Sequence, residues 1–299
     1  MKHILLSLLM LVCSHILYSQ ENFKYNHILI TNDDGIGDAD RLLALASEVK
    51  KVSKRVSIIV SAFDRSGFSN QTSYGKHQST LEITCKYYDK KNSISVYEIP
   101  GNPADCVLLG LMGFFQEDKP DLVLSGINGG ANIGPGWFGS GTIGAIRTSA
   151  FLGVPGIALS GFNEEDKKSF TAIPKWVKEF ISSDFINIIP KNSYMTIGFP
   201  DMNIDEIKGV KIASRRVSFE NPDAIKLYQI HGDEPNLPDN KTVWALRFVG
   251  DLNNSTTADD TLLNQGYIVI TPMTIDENNL VLLQTIRESK VPLPELSND

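Results

Sequence analysis

Cysteine is scarce in this chain, with three among 299 residues. Cys13 lies in an apolar segment at the N-terminus, which leaves Cys85 and Cys106 for the rest of the protein. These two could pair. However, Cys106 falls within an apolar helical pattern, where a free thiol acts as a small buried hydrophobic side chain. The fold is therefore not expected to depend on a disulfide.

Positive charge is in deficit. The chain has 28 Lys and Arg residues against 35 Asp and Glu residues, a formal net charge of −7. Proteins that coat nucleic acid need dense lysine and arginine, so the composition argues against a nucleic-acid polymer as a partner. A small anionic substrate stays compatible with this balance if a metal ion or a helix N-terminus supplies local positive charge.

Long hydrophobic runs are missing as well. The apolar run Ile4–Val12 is interrupted by Ser7 and is too short to span a bilayer comfortably. It follows Lys2 and precedes a plausible cleavage site near Ser19, an order typical of a secretory signal peptide. The sequence therefore predicts a signal peptide over residues 1–20, no stable membrane anchor, and export to the periplasm or the cell exterior. The alternative is an uncleaved hydrophobic first segment.

Three motifs of well-known enzyme classes do not occur in the sequence. No His and Cys cluster has the spacing of a zinc site. No GxxxxGK[ST] phosphate loop is present, and no GxSxG nucleophile elbow is found. The candidate chemistry must therefore come from other residue types.

Strands and helices alternate along the first half of the chain. Apolar or β-branched runs at His27–Thr31, Val56–Val60, Leu122–Leu124 and Gly156–Leu159 are typical of buried strands. Helical patterns separate these runs, and the length suits one large α/β domain or two small ones. The alternation predicts a doubly wound, mostly parallel sheet.

Local signals place further elements. A helix is predicted to start at Asn102, which is followed by proline, and to extend to Phe115. Alternating residues over 81–87 and 94–96 predict a hairpin. A helix from about Thr142 to Phe151 is predicted after a glycine-rich loop.

The second half has a different pattern. Beyond Pro190, strand-like segments are joined by polar connections. The sequence thus predicts one domain over residues 21–299, in which residues 190–299 form a C-terminal antiparallel β extension. The strand-like segments are Tyr194–Phe199, Gly209–Ala213, Thr242–Val249 and Gly266–Thr271.

Two adjacent carboxylates, Asp33 and Asp34, end the first predicted strand, and Gly35 permits a sharp turn after them. Strand neighbours point to opposite faces, but a turning chain can direct both carboxylates into one crevice. Two negative charges held so close repel unless a cation lies beside them, and oxygen ligands favour Mg²⁺ or Mn²⁺. The alternative is a solvated turn, in which Asn32 and the two Asp residues bond to the local backbone.

Three loops should gather near this acidic pair. Each of the three follows a predicted strand: the turn with the acidic pair, the Ser61–Ser79 loop and the Gly126–Gly141 loop. Ligands of doubly wound sheets bind outside the carboxyl ends of the strands. We therefore expect all three loops at one edge of the sheet, forming a single site.

Motifs in these loops resemble those of the SurE family, the survival protein E family of metal-dependent 5′/3′-nucleotidases. The resemblance runs from about His27 to Leu159 and more faintly to Pro272. It implies a SurE-like α/β fold and a metal-dependent phosphomonoesterase that hydrolyses nucleoside 5′- or 3′-monophosphates. The matching segments are Asn32–Gly35, Arg65–Asn70, Gly101–Val107, Ser125–Gly134 and Ser140–Thr142.

The resemblance also implies roles for individual residues. Asp33 and Asp34 match metal-binding carboxylates of the family, and Ser66 and Asn128 match its metal-binding Ser and Asn. All four are oxygen donors, which suits one divalent Mg²⁺ or Mn²⁺ ion. Either Asp could also accept a proton during catalysis. Residues predicted to face the phosphate are Asn132, Ser140, Gly141 and Thr142.

These residues also have simpler structural explanations. Ser66 could be a turn residue, and Asn128 and Asn132 could occupy left-handed turn positions. Ser140 could be a helix N-cap and nothing more. His77 is a minor candidate for a general base, because a histidine in such a loop is more often a surface residue.

Departures from the family pattern leave the base and sugar preference open. Gly37–Asp40 replaces the usual Ala-Pro, and Phe63–Arg65 replaces Pro-Asp-Arg and abuts Ser66, which shortens that loop. Arg147 either adds positive charge near the pocket or lies on a helix surface. One alternative function is an exported nucleotide- or phosphate-binding protein that has lost turnover. Another is a broad acid phosphatase or polyphosphatase.

The expected partner is a nucleoside monophosphate or another small phosphomonoester. Strands after Gly209 look suited to pairing with another subunit, and the resemblance implies a homo-oligomer, a dimer or a larger assembly such as a tetramer, with exchanged C-terminal elements. Family members are usually cytoplasmic, so an exported member would suggest scavenging of extracellular nucleotides.

Overall fold

A nine-stranded sheet dominates the computed structural model, which describes residues 23–73, 80–217, 225–230, 243–248 and 255–291. The strands within these ranges are β1 (Tyr25–Thr31), β2 (Ser53–Ser61), β3 (Thr84–Asp89), β4 (Ile94–Ile99), β5 (Leu122–Asn128), β6 (Gly156–Ser160), β7 (Ser193–Gly198), β8 (Val210–Ile212), β9 (Ile225–Ile230), β10 (Val243–Phe248) and β11 (Ile268–Thr274). The α-helices are α1 (Ala39–Val49), α2 (Pro103–Leu109), α3 (Gly141–Phe151), α4 (Ser169–Ser182), α5 (Asp259–Asn264) and α6 (Leu280–Glu288).

The sheet is mostly parallel, as the alternation of strands and helices predicted. Its order is β3-β4-β2-β1-β5-β6-β7-β11-β8. The six strands from β4 to β7 in this order are parallel. β3 is antiparallel to β4, which confirms the predicted hairpin. The predicted fold class, a doubly wound α/β sheet with antiparallel strands towards the C-terminus, is confirmed.

The strand after Pro190 differs from the prediction in its direction. β7 pairs in parallel with β6, so it continues the main sheet. The cause is α4, which lies between the two strands and returns the chain to the same edge, as a helical crossover does. Antiparallel pairing starts later, where β11 meets β7 and where β9 meets β10 in a separate pair.

Both faces of the sheet are covered. Ile28 and Ile30 point to the side packed against α1 and α4, whereas Leu29 and Ile59 point to the side packed against α2 and α3. Burial on both faces explains why these strands are continuously apolar. The helices cover the faces and leave the carboxyl edge of the strands to the connecting loops.

Cys85 is exposed and Cys106 is buried, and both are free thiols. Burial raises the pKa of Cys106 to about 12. Cys106 therefore behaves as the buried small hydrophobic residue that its helical pattern indicated.

Some predictions concern segments that the structure does not describe. The predicted signal peptide over residues 1–20, Cys13 and His77 lie outside the described residues. Within the described ranges, none of the helices has the length and apolar content needed to cross a bilayer.

Candidate active site

The three predicted loops leave the sheet from one edge. β1 lies between β2 and β5, and all three strands are parallel, with Thr31 opposite Ser125 in the register of β1 and β5. The acidic pair follows β1, the Ser66 loop follows β2, and Asn128 is the last residue of β5. The expectation that these segments gather at the carboxyl edge is therefore met by the topology.

Asn32 forms the turn that follows β1. Its Nδ2 donates a 2.9 Å hydrogen bond to the carbonyl of Gly35, and the Gly35 N–H donates one of 3.1 Å to its Oδ1. Gly35 has φ +75°, and a Cβ there would lie 2.9 Å from the carbonyl oxygen of Ser61, so glycine is required. Asp33 is 3% exposed, so it is not the solvated turn residue of the simpler explanation.

Thr142 connects the glycine-rich loop to Asp33. Its Oγ1 donates a 2.6 Å hydrogen bond to Oδ1 of Asp33 and accepts one of 3.2 Å from Nδ2 of Asn132. Burial raises the pKa of Asp33 above its ordinary value, while the hydrogen bond from Thr142 acts in the opposite direction. A cation next to this buried carboxylate would stabilise its charged form.

The loop that carries Ser66 is packed directly against Asp33. The N–H of Arg65 donates a 2.7 Å hydrogen bond to the backbone carbonyl of Asp33. A Cβ on Gly141 would lie 2.8 Å from Cβ of Asp33 and 3.0 Å from the carbonyl oxygen of Arg65. Thus Asp33, the Ser66 loop and the start of α3 meet at close range, and glycine at 141 permits this approach.

Further hydrogen bonds hold the Ser66 loop in place. Ser69 donates from its N–H to the carbonyl of Gly139 (2.9 Å) and from its Oγ to the carbonyl of Phe138 (2.8 Å). Ser73 donates from its N–H and its Oγ to the buried carboxylate of Asp105. Ser66 itself is exposed and lies before these anchors, and its N–H donates a 2.8 Å hydrogen bond to Oδ1 of Asp64.

Asn128 and Asn132 are not left-handed turn residues, so that explanation is wrong. Among the described residues other than glycine, positive φ angles occur at Ser69, Ser93 and Asn192. Nδ2 of Asn128 donates a 2.7 Å hydrogen bond to the carbonyl of Gly130, so the oxygen end of this amide points away from Gly130. An amide oxygen is a suitable ligand for a hard cation.

Ser140 acts as the N-cap of α3, the simpler of its two explanations. Its Oγ accepts a 3.1 Å hydrogen bond from the N–H of Ile143. The positive end of an eleven-residue helix therefore begins at Gly141, beside Asp33. Helix N-termini favour phosphate groups because their first N–H groups have no partner within the helix.

Arg41 is a site residue that the sequence analysis did not identify. It is 6% exposed, its Nη2 lies 3.4 Å from Oδ2 of Asp34, and its guanidinium is paired with Glu164. A Cβ on Gly129 would lie 3.4 Å from Nη1 of Arg41. Arg41 therefore fills the space between the acidic pair and the loop after β5, and it offsets part of the negative charge there.

Arg147 lies on the surface of α3, where it is paired with Glu277. Of its two predicted places, the pocket and the helix surface, the structure shows the second. Its Nη2 donates a 2.8 Å hydrogen bond to Glu277, and its guanidinium lies 5.6 Å from the ring centroid of Trp137. Its charge is thus partly neutralised at the helix surface.

The donor set of the site fits a hard divalent cation. Two carboxylates, one hydroxyl and one amide oxygen come from three loops of the same edge, and their chemistry suits Mg²⁺ or Mn²⁺ better than Zn²⁺. Within the described part of the chain, there is no group of three or more His, Cys, Asp and Glu residues able to hold a metal. A mixed set that includes Ser66 and Asn128 is therefore the candidate.

The fold and the site define a doubly wound α/β protein with two adjacent carboxylates and a helix N-terminus at the carboxyl edge of its sheet. The chain belongs to the SurE family, because the family model described as survival protein SurE matches residues 28–220. The family membership inferred from the loop motifs is thereby confirmed.

Relatives align with most of the chain. The 5′-nucleotidase SurE of Desulfatibacillum aliphaticivorans is 30% identical over 270 residues, which cover 90% of this chain and all of the relative. The 5′-nucleotidase SurE of Vibrio vulnificus (strain YJ016) is 30% identical over 249 residues, which cover 83% of this chain and 89% of the relative. The crystal structure of the SurE protein from Aquifex aeolicus superposes with a TM-score of 0.70 at 26% identity, covering 87% of this chain and 98% of that one.

The comparisons correct one prediction. Export was predicted from the N-terminal segment, but the matching relatives are nucleotidases of a kind that is typically cytoplasmic. The prediction of an exported protein is therefore wrong, and the suggested scavenging of extracellular nucleotides loses its basis.

Family members are generally dependent on a divalent metal.

Proposed function

We propose that this protein is a 5′-nucleotidase, a phosphomonoesterase that hydrolyses nucleoside monophosphates to nucleoside and phosphate. Its membership of the SurE family and the name shared by its relatives support this assignment. The structural observation that carries it is the hydrogen bond between Thr142 and Asp33, which joins a phosphate-facing helix start to a buried carboxylate.

We assign the metal site to Asp33, Asp34, Ser66 and Asn128, which together would hold one Mg²⁺ or Mn²⁺ ion. When bound, such an ion neutralises the charge of a phosphate and lowers the pKa of a coordinated water. Support comes from the uniform oxygen chemistry of the four donors and from the contacts that pack their loops together.

The substrate phosphate is assigned to the start of α3. The N–H group of Gly141 and Nδ2 of Asn132 are donors that can bind phosphoryl oxygens, whereas the N–H of Thr142 donates to the Asp33 carboxylate. Ser140 keeps these N–H groups in place by capping the helix. Asp34 is the more exposed of the two carboxylates. We therefore assign Asp34 the role of the general base, which accepts a proton from the attacking water.

Loss of turnover is not favoured as an alternative, because the residues that match the family's metal and phosphate positions are all present. A broader activity on other phosphomonoesters or short polyphosphates is a matter of preference within the same site. Phe63–Arg65 replaces family residues directly before Ser66, so we expect any change in preference to arise there.

The test is a phosphate-release assay on the full chain. Substrates are AMP and GMP, their 3′ isomers, a chromogenic phosphomonoester and a short polyphosphate, with Mn²⁺, with Mg²⁺ and with EDTA. We expect release from nucleoside monophosphates that EDTA abolishes and Asp33→Asn reduces at least 100-fold, on the order expected for loss of a charged group in the site. Glu117→Gln serves as the control, because it removes an exposed carboxylate that precedes β5, whereas the candidate residue Asn128 ends that strand. Release that persists in EDTA or in Asp33→Asn contradicts the proposal.

We also propose that the protein is a single domain that forms a homo-oligomer, either a dimer or a tetramer. The exposed face of α6 supports association, because five large apolar side chains there are 43–78% exposed. These are Leu280, Val281, Leu282, Leu283 and Ile286. Sedimentation of the wild type and of Leu282→Asp tests this, and a wild-type monomer at micromolar concentration contradicts it.

A further inference from the structure

A buried ion pair contacts the glycine-rich loop after β5, at Asn132 and Gly134. Nη1 of Arg215 is 2.7 Å from Oδ2 of Asp259, and the two side chains are 3% and 0% exposed. Removing both charges from water is costly, so a buried pair needs further hydrogen bonds to be tolerated and is by itself weak evidence of added stability. The other contacts of this pair therefore indicate what it does.

Arg215 binds the backbone of Asn132. Its Nη1 donates a 2.7 Å hydrogen bond to the Asn132 carbonyl, and its Nη2 donates one of 2.6 Å to Oγ1 of Thr196 on β7. A guanidinium can serve three acceptors at once because its donors form a rigid planar fork, which a lysine ammonium does not have.

Asp259 binds the same loop two residues further along. Its carboxylate accepts hydrogen bonds from the N–H of Gly134 (3.1 Å to Oδ2) and from the N–H of Arg216 (3.3 Å to Oδ1). The ion pair thus holds the loop at Asn132 and at Gly134. It also joins the start of α5 to the segment after β8, where Ser214 and Ala258 form an isolated bridge.

These contacts fix the direction of the Asn132 side chain. The Asn132 N–H donates a 3.0 Å hydrogen bond to Oγ of Ser160, and its carbonyl accepts from Arg215, so both of its backbone groups are bound. With the backbone held, Nδ2 reaches Oγ1 of Thr142, which in turn donates to Asp33. The chain of contacts runs from a buried arginine to the acidic pair.

We propose that Arg215 is a positioning residue, which orients Asn132 for the substrate phosphate through the Asn132 carbonyl and without contact to the substrate. The proposal rests on the proposed function, because it takes Asn132 as a phosphate-binding residue. The segment after β8 and the start of α5 contribute none of the predicted site residues. In this proposal, both nevertheless contribute to the affinity for phosphate.

The experiment compares phosphate affinity with stability. Inorganic phosphate is used as the probe, and its inhibition constant is measured alongside kcat, KM and the denaturation midpoint. The main variant is Arg215→Met combined with Asp259→Asn. It leaves no buried unpaired charge, and the asparagine oxygen can still accept from Gly134. We expect the inhibition constant and KM to rise roughly three- to tenfold, as for loss of one hydrogen bond, with a smaller change in kcat.

Two controls separate positioning from stability. Thr196→Val removes a different acceptor of Arg215 and leaves the bond to Asn132, so phosphate inhibition should stay within twofold of wild type. Tyr25→Phe removes a buried hydroxyl that donates to the carbonyl of Ile181 in another part of the fold, and it gives the effect of stability loss alone. If the double variant does not fold, Arg215→Lys is measured instead, because it keeps the charge beside Asp259 and loses the planar fork.

The outcomes distinguish this inference from the proposed function. A folded double variant, or a folded Arg215→Lys, with wild-type phosphate inhibition and KM overturns the positioning role. Equal losses in Thr196→Val and in the Arg215 variant also overturn it, since they indicate a structural role only. If the wild type itself releases no phosphate in the presence of metal, the proposed function fails first.

Discussion

The Oγ1 hydroxyl of Thr142 donates a 2.6 Å hydrogen bond to Oδ1 of Asp33, although 109 residues separate them in the chain. This contact joins the end of β1 to the start of α3. Both residues are buried, so the hydrogen bond is not weakened by competing water. The contact therefore sets the orientation of a carboxylate that we assign to metal binding.

Thr142→Val tests this contact with little change in side-chain shape. The valine cannot donate to Asp33 and cannot accept from Asn132. A hydrogen bond to a charged group contributes about 1.5–3 kcal/mol, so we expect kcat/KM to fall roughly 10- to 100-fold. The measurement is steady-state kinetics with a nucleoside monophosphate at saturating Mn²⁺.

Ser149→Ala is the matched control for that variant. Ser149 lies on the same helix, and its Oγ donates a 2.9 Å hydrogen bond to the carbonyl of Val154 away from the site. We expect this variant to lose stability with kcat/KM unchanged within twofold. If Thr142→Val also keeps kcat/KM within twofold, the contact with Asp33 has no role in activity.

Gly141→Ala tests the close approach of α3 to Asp33. The added methyl would lie 2.8 Å from Cβ of Asp33 and 3.0 Å from the carbonyl oxygen of Arg65, so one of these must move. We expect a loss of about 1–3 kcal/mol in the free energy of unfolding, typical of overpacking, and a fall in activity. Denaturant titration and phosphate release measure the two effects.

Gly139→Ala provides the comparison for this substitution. A Cβ at Gly139 would meet nothing within 4 Å, and this glycine lies two residues before Gly141, which starts α3. Activity and stability of Gly139→Ala should match the wild type. A Gly141→Ala variant with equally normal behaviour would show that the packing of α3 on Asp33 tolerates displacement.

The pattern of apolar strands was sufficient to predict that the three candidate loops leave the sheet from one edge. Asp33 and Asn128 each follow or end a buried parallel strand, and parallel strands of one sheet place their carboxyl ends together. The local sequence also predicted a helix from about Thr142, one residue after its observed start at Gly141, with Ser140 as a candidate N-cap. These features depend on short segments, so they can be inferred without knowledge of distant contacts.

The two buried arginines could not be predicted in this way. Arginine is usually exposed, and its burial depends on distant carboxylates, which are Glu164 for Arg41 and Asp259 for Arg215. The direction of β7 was missed for a related reason. Pro174 lies inside α4, where proline normally disfavours a helix, and the crossover that makes β7 parallel was not predicted.

Protonation of His27 is expected to reduce stability in acid. The imidazole is fully buried, with Nδ1 2.7 Å from the carbonyl of Asp118 and Nε2 2.9 Å from Oγ of Ser57. Burial lowers the pKa of His27 below its ordinary value of 6.5, and the charge of Arg55 adds to this. The Asp118 carboxylate lies 3.7 Å away, but it is half exposed to water and does not outweigh burial.

The sign of the pH dependence follows from this lowered pKa. Below pH 6.5 the unfolded chain binds a proton at His27 and the folded protein does not, so unfolding is favoured as the pH falls towards the folded-state pKa. The loss is at most about 1.4 kcal/mol for each pH unit below 6.5. Urea titrations at pH 7.5 and 5.5 should show a larger loss for the wild type than for His27→Gln. Equal losses in both proteins contradict a neutral buried His27.

Binding of Mn²⁺ to the full chain tests the central claim most directly, because it needs no assumption about the substrate. Free Mn²⁺ is measured by electron paramagnetic resonance during titration of the wild type, of Asp33→Asn, Ser66→Ala and Asn128→Ala, and of Glu117→Gln as the control. We predict one site per chain in the wild type and in Glu117→Gln, and at least tenfold weaker binding in each of the other three, as for loss of a ligand or its support. A wild type that binds no Mn²⁺, or three site variants that bind it as the wild type does, would contradict the account.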